Sequence, residues 1–234
     1  MQLLKHKWTS LRITFAFMTC PSCKQELELT GVPREIAAEL GPLVGFKKEV
    51  ERLALKNAEE QGILKDDRLR TPTDFYFGKP QEFANHRCSF YQCHECKKPY
   101  FGGLIDCEQE MGMEDTTRRE DLICRPCLMK EMSIGANICR NGHGAEFIDW
   151  KCMYCCRVAL FSCCGGTKWF CDPCHRDPYK AMRNPKNCNG KNCPLKIPHP
   201  PASNNFKKSA FPLGCSICRS EHLEEYDQAQ DQIR

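Results

Sequence analysis

Six Cys-x-x-Cys pairs recur through this 234-residue chain: Cys20/Cys23, Cys93/Cys96, Cys124/Cys127, Cys152/Cys155, Cys171/Cys174 and Cys215/Cys218. No other feature limits so narrowly what the chain can fold into. Two thiolates at this spacing, on a tight turn, grip one tetrahedral metal ion at about 2.3 Å each. Apolar residues make up 41% of the chain, but that share includes 20 cysteines. What remains is thin for a core, so cross-links or metals must carry part of the stability. An even cysteine count also suits a secreted disulfide framework. The apolar run Ile13 to Met18, however, is shorter than the roughly 7–15 residues an export signal requires, and no stretch approaches membrane-spanning length. Reduced thiols in an intracellular, cytoplasmic setting are therefore expected, with zinc rather than disulfides and no membrane partner.

Ligand arithmetic sets the capacity. From about residue 71 onward the candidates are Cys93, Cys96, Cys124, Cys127, Cys139, His143, Cys152, Cys155, Cys156, Cys171, Cys174, Cys188, Cys193, His199, Cys215 and Cys218. At four ligands per closed structural site, these sixteen fill four sites. Cys93/Cys96 with Cys124/Cys127 is one plausible grouping, and the others are open. Cys20 and Cys23 are further candidate ligands without evident partners. Outside the count stand Cys88, read as a thiol without a task, and the adjacent pair Cys163/Cys164. Vicinal cysteines do not easily face one metal together, so at least one of them is expected to be free. His222 is an alternative to His199. Cys107 has no partner at knuckle spacing and sits in a glycine-bearing acidic segment, which suits chemistry better than structure. His175 follows Cys174 directly, so a knuckle fixes its position while aiming it away from the metal, as a structural residue or a general base.

Between these pairs the chain changes character. Leu11 to Phe17 is β-branched and aromatic and reads as a short strand. Leu43, Phe46, Val50 and Leu53 repeat at helical spacing, which predicts helix over residues 33–61, broken near Gly41-Pro42. Residues 67–80 read as a connector, and short strands and loops held by several zincs are expected beyond it, in a small α+β fold. The net charge of +4 is weak for a nucleic-acid binder. It is unevenly spread, since residues 176–208 carry Arg176, Lys180, Arg183, Lys186, Lys191, Lys196, Lys207 and Lys208 against one acid, Asp177. That stretch is either a solvated surface or a face for an acidic partner or RNA.

One ordered set of motifs goes further. Arg12-Ile13-Thr14-Phe15, Cys20-Pro21-Ser22-Cys23, Tyr100-Phe101-Gly102-Gly103, Lys151-Cys152-Met153-Tyr154-Cys155-Cys156, Phe170-Cys171-Asp172-Pro173-Cys174-His175, His199-Pro200-Pro201 and Gly214-Cys215-Ser216-Ile217-Cys218-Arg219 run from about Leu11 to His222. Together they resemble the C-terminal region of the Pam/Highwire ubiquitin ligases, the RING-Cys-relay class. The resemblance implies a partial RING remnant over 1–30, a helical linker over 31–70 and a tandem-cysteine zinc domain over 71–234. It implies that Cys107 accepts ubiquitin from a conjugating enzyme and passes it on. The downstream cysteine falls on Cys163 counted forward from Cys155-Cys156 and on Cys164 counted back from Cys171, with Cys163 favoured. That cysteine then esterifies a threonine or serine hydroxyl of a protein substrate, with His175 as base. The family glutamate falls on Asp121, with Glu120 adjacent. Three departures accompany the match: the earlier RING ligands are absent, Cys164 or Gly165 stands where the family has phenylalanine, and Lys196 stands where it has histidine. The alternative reading is a non-catalytic zinc scaffold that binds protein or RNA. Thiol redox chemistry fits poorly with so many knuckles in one module.

Overall fold

The computed structural model describes residues 8, 10–20, 22–23, 25–26, 31–105, 118–131, 139, 141–188 and 190–218. The fold is small α+β, with short antiparallel strands and cysteines gathered in tetrads. It divides into two compact units, Met1–Leu122 and Ile123–Arg234. Among the described residues no helix is long and apolar enough to cross a membrane.

The first unit is organised by α1 (Arg34–Glu60), α2 (Pro80–Arg87) and a hairpin of β1 (Cys88–Gln92) and β2 (Pro99–Leu104). The expected helix is present but unbroken: Pro42 lies inside α1. A proline there removes one backbone donor and crowds the preceding turn. Tertiary packing outweighs that local cost, because an amphipathic face rather than propensity supplies most helix stability. Val50, Ala54 and Ala58 are buried along one stripe of α1. The partly buried Leu43, Phe46 and Leu53 extend it against Trp8, Ile13, Phe17 and Phe90. Trp8 stacks on Phe46 at 5.6 Å, and Phe15 meets Phe46 edge-on at 6.4 Å. The stripe reads as small residues because neighbours come close. Gln81 Nε2 donates to the Glu51 carbonyl at 2.8 Å, and the Cys88 thiol lies 3.8 Å from the Ala54 carbonyl. Burial pushes that thiol up to about 11, so Cys88 is a packing residue and a poor nucleophile.

The run Leu11 to Phe17 does not form the expected strand. Arg12 makes a single antiparallel bridge to Tyr91, and Ile13 N–H donates to the Phe90 carbonyl at 2.8 Å. Ala16–Met18 then turns into a 3-10 helix that drives Phe17 and Met18 into the core. Its aromatics are drawn to the α1 cluster more strongly than its backbone is drawn to the β1 edge. The stretch taken as a connector is also ordered: Asp66 caps the turn Asp67–Leu69 through Arg68 N–H at 3.0 Å. Hydrogen bonds from Arg68 hold the Asp66 carboxyl down at about 2.

In the second unit, α3 (Arg125–Glu131) is followed by a three-stranded sheet in the order β4-β3-β7, from β3 (Ile148–Lys151), β4 (Val158–Ala159) and β7 (Pro212–Cys215). A separate hairpin joins β5 (Phe161–Cys163) to β6 (Lys168–Phe170). Three short helices complete it: α4 (Asp172–Arg176), α5 (Pro178–Arg183) and α6 (Phe206–Ser209). Its apolar interior is small and aromatic, with Trp150 against Trp169 at 3.9 Å and Tyr154 stacked on Phe170 at 5.0 Å.

Two substitutions in α1 test this account in opposite directions. Gly45 is exposed in the helix, with open space where a Cβ would stand. Gly45→Ala is expected to raise stability by about 0.5–1 kcal/mol. Ala58 is fully buried, and Ala58→Leu is expected to lower stability by about 1–3 kcal/mol through overpacking. Urea unfolding midpoints at unchanged slope measure both.

Candidate metal centres and thiol–imidazole site

Three sets of ligands lie wholly within the second unit. Cys139, His143, Cys215 and Cys218 form the first; Cys152, Cys155, Cys171 and Cys174 the second; Cys156, Cys188, Cys193 and His199 the third. Within each set the ligand atoms all lie within 4.8 Å of one another. Cys139 Sγ is 3.2 Å from His143 Nδ1 and 3.3 Å from Cys218 Sγ. Cys155 Sγ is 3.4 Å from Cys171 Sγ and 3.8 Å from Cys174 Sγ. Cys193 Sγ is 3.2 Å from His199 Nε2. A tetrahedron with metal–sulfur bonds of about 2.3 Å has edges of about 3.8 Å. The observed separations are near that edge and far longer than a disulfide bond. The donor chemistry and the spacing therefore fit a four-coordinate metal ion, and each set could hold one.

The chain achieves this by splitting neighbours. Cys155 and Cys156 are adjacent, yet they serve different sets. The His199 ring is oriented from behind, with Nδ1 2.9 Å from the Pro200 carbonyl, which leaves Nε2 as the ligand atom. Lys196, at the position of the family histidine, is exposed and outside the third set. In the second set the hydrogen bond from the Cys155 thiol pulls Cys152 down to about 5, against the cost of burial, and pushes Cys155 up. Tyr154 N–H also donates to Cys152 Sγ at 3.5 Å. This lowering favours the thiolate of Cys152, the form that binds metal.

The division between the units falls between Cys93/Cys96 and Cys124/Cys127. Cys93 is buried in the β1–β2 connection, its N–H donating to the Lys98 carbonyl at 3.0 Å and its carbonyl accepting from Lys97 at 3.0 Å. Cys124 precedes α3 and accepts from Leu128 N–H at 2.9 Å. Cys20 is half-buried and Cys23 exposed. Among the described residues no third and fourth ligand joins that pair. Glu120 and Asp121 lie in the first unit, where Asp121 Oδ2 accepts from Arg118 N–H at 3.3 Å and closes its own 3-10 turn. Cys107 and His222 lie outside the described residues.

Of the vicinal pair, Cys163 meets His175. Cys163 ends β5, pairs with Lys168 across the hairpin, and puts Sγ 3.5 Å from His175 Nε2. The imidazole belongs to none of the three ligand sets. Its position follows from α4, where His175 N–H donates to the Cys171 carbonyl at 2.9 Å. The ring stacks on Phe161 at 4.0 Å and 14°, and Phe170 meets it edge-on at 5.9 Å. Cys164 begins the turn with left-handed backbone, φ 54°, followed by Gly165 at 65° and Gly166 at 76°. Its carbonyl accepts from Thr167 Oγ1 at 2.6 Å. The Cys164 thiol is close enough to Lys168 and Tyr154 to influence both electrostatically. Burial chiefly lowers the Lys168 ammonium, and the Cys164 charge partly offsets it.

Two residues that support this centre were not legible in the sequence. Phe161 carries the imidazole, and only the strand alternation beside His175 hints at it. Lys151 is fully buried, with Nζ donating to the Cys152 carbonyl at 2.9 Å. A cation there offsets part of the negative charge of a four-cysteine set.

No family model matches the chain. It is 36% identical over 234 residues to the E3 ubiquitin-protein ligase MYCBP2 of Danio rerio, covering 94% of this chain. It is 34% identical over 231 residues to the E3 ubiquitin-protein ligase highwire of Drosophila melanogaster, covering 93%. The chain is a homologue of one segment of the Pam/Highwire proteins. It spans only 5% and 4% of the length of those two relatives.

Metal content tests the ligand sets. Cys171→Ser is expected to lower the bound metal of the reduced protein by one ion per chain and to loosen the β5–β6 hairpin. Cys88→Ser should leave the metal content unchanged. Inductively coupled plasma mass spectrometry and backbone amide exchange read the two effects.

Proposed function

We propose that this chain is a ubiquitin transferase of the cysteine-relay class, with zinc in its cysteine and histidine sets and its acyl-transfer chemistry at Cys163 and His175. The contact of 3.5 Å between Cys163 Sγ and His175 Nε2 carries the reading. A nucleophilic sulfur and an imidazole in reach of each other are the parts that acyl transfer to a hydroxyl needs. Homology to two proteins named as ubiquitin ligases supplies the acyl group. Zinc suits sulfur and imidazole donors in closed tetrahedral sets, where it holds structure and leaves no open position for substrate. The metal-binding residues here build the scaffold that fixes the strand and helix bearing Cys163 and His175.

The carbonyl carbon of a ubiquitin thioester on Cys107, received from a conjugating enzyme, is attacked by the Cys163 thiolate. A new carbon–sulfur bond forms and the Cys107 thiolate leaves and takes a proton. Such exchange is nearly isoenergetic, so access matters more than driving force. Cys163 is only 3% exposed, and the Gly165-Gly166 turn that follows is the part of the hairpin able to move aside. A threonine or serine hydroxyl then attacks the Cys163 thioester while His175 Nε2 takes its proton. The carbon–sulfur bond breaks, and the imidazolium returns the proton to the departing Cys163 thiolate. Glu120 or Asp121 is the family acid in this scheme. Cys164, next to Lys168 and Tyr154, is the alternative relay thiol.

Two measurements decide between these assignments. Cys163→Ser is expected to leave loading of Cys107 intact and to trap a reductant-resistant ester, whereas Cys164→Ser keeps transfer; the reverse pattern would move the relay to Cys164. Cys107→Ser is expected to block loading of both, as read by reductant-sensitive adducts on gels. His175→Ala is expected to keep metal and loading but to slow discharge to free threonine by roughly 10²-fold. Unchanged discharge with full metal content would remove His175 from the mechanism.

A further inference from the structure

Lys180, Arg183 and Lys186 are exposed in the stretch of chain that follows His175, and among the described residues none of them has a carboxylate in ion-pair reach. The acids near them are already engaged. Asp177, the single acid of residues 176–208, accepts from Lys180 N–H at 3.1 Å and caps α5. Asp172 pairs with Arg176 at 2.7 Å. The positive charge of this face is therefore uncompensated within the second unit as described, and it is held in place. Asn204 Nδ2 donates to the Met182 carbonyl at 3.1 Å, and Lys168 Nζ donates to the Asn204 carbonyl at 3.3 Å. These two bonds tie the C-terminal end of α5 through one loop to Lys168, the residue that pairs with Cys163 across the hairpin. α5 also follows α4, which bears His175, with only Asp177 between them.

We infer that this face selects the acceptor: it docks an acidic protein segment that presents its threonine or serine hydroxyl to Cys163 and His175. The inference rests on the transfer reading above and adds the substrate class. Charge complementarity names the occupant, since an unpaired cationic surface beside a reactive centre raises the local concentration of an anionic substrate. Nucleic acid fits less well. A single strand wants a series of aromatic platforms between its basic contacts, and residues 176–208 hold only Tyr179 and Phe206. The whole chain also carries a net charge of only +4, little for a phosphate backbone.

The test uses the full metal-loaded chain and three labelled peptides, each with one threonine, flanked by glutamate and aspartate, by serine and glycine, or by lysine. Fluorescence anisotropy is expected to show the acidic peptide binding roughly tenfold more tightly than the neutral one at 0.1 M salt, the product of two or three exposed ion pairs. The advantage should vanish at 1 M salt. Lys180→Glu combined with Arg183→Glu should invert the order of acidic and basic peptides, while discharge from the ubiquitin-loaded chain to free threonine stays unchanged. Equal binding of the acidic and neutral peptides, or an acidic preference that survives the double reversal, overturns the inference. A single-stranded RNA that binds tenfold more tightly than the acidic peptide would reassign the face to nucleic acid. Failure of discharge to free threonine counts against the transfer reading alone, because peptide binding decides the docking surface by itself.

Discussion

The set of Cys152, Cys155, Cys171 and Cys174 is the constraint on which the rest of the second unit depends. Its two pairs come from the end of β3 and from the entry to α4, so whatever joins them closes the chain around the β5–β6 hairpin. A strand pair of three residues each has little stability of its own. Cross-linking both flanks removes most of the loop freedom that such a hairpin would otherwise keep. The position of His175 is a by-product of that closure, because a residue directly after a ligand inherits the ligand's fixed place. A site built this way needs no large core around it. It also ties chemistry to metal: losing the ligands releases the histidine together with the strand that faces it.

Charge is arranged to suit the sulfur. Lys151 alternates with Trp150 along β3, and simple strand alternation would leave it in water, yet it is the residue with no exposure at all. An ammonium buried beside thiolates is tolerable because each offsets the desolvation of the other, and its hydrogen bond to the Cys152 carbonyl satisfies one of its donors. The first unit needs no such device. The core around α1 is aromatic and aliphatic, closed around its small residues, and burial keeps the Cys88 thiol there neutral.

These differences explain what could be read from the chain alone. Candidate ligands could be named from the sequence, because metal coordination acts through residue type and short spacing, which are local. Three sets of these candidates gather wholly within the second unit, and His199 stands in one of them. Ligand grouping was not legible, because the partners meet across as many as 79 positions, as Cys139 and Cys218 do. The helix over residues 34–60 was legible from its periodicity, but its continuity through Pro42 was not, since propensity carries no record of the aromatic cluster that holds α1 straight. The run Leu11 to Phe17 failed as a strand for the same reason: β-branched and aromatic side chains mark a surface to be buried, and here the burial is against a helix.

The vicinal cysteines sit where strand β5 gives way to its turn, and that boundary decides how each is held. An insertion inside a strand would turn every following side chain to the opposite face. Placed in the turn, it leaves both strands in register, and the cost is confined to backbone that must curl left-handedly. Here β5 and β6 pair from Phe161↔Phe170 to Cys163↔Lys168, while Cys164, Gly165 and Gly166 take positive φ. Two of the three are glycines, which adopt this conformation without strain, and only Cys164 bears the penalty of a Cβ. The strand residue keeps its side chain toward the helix that carries His175, and the charge of the turn residue's thiol acts on Lys168 and Tyr154. Two adjacent thiols thus acquire different surroundings, and the imidazole lies beside the strand thiol. An imidazole acts on what lies within hydrogen-bond reach of it, and of the two thiols the strand residue Cys163 is the one 3.5 Å from His175 Nε2.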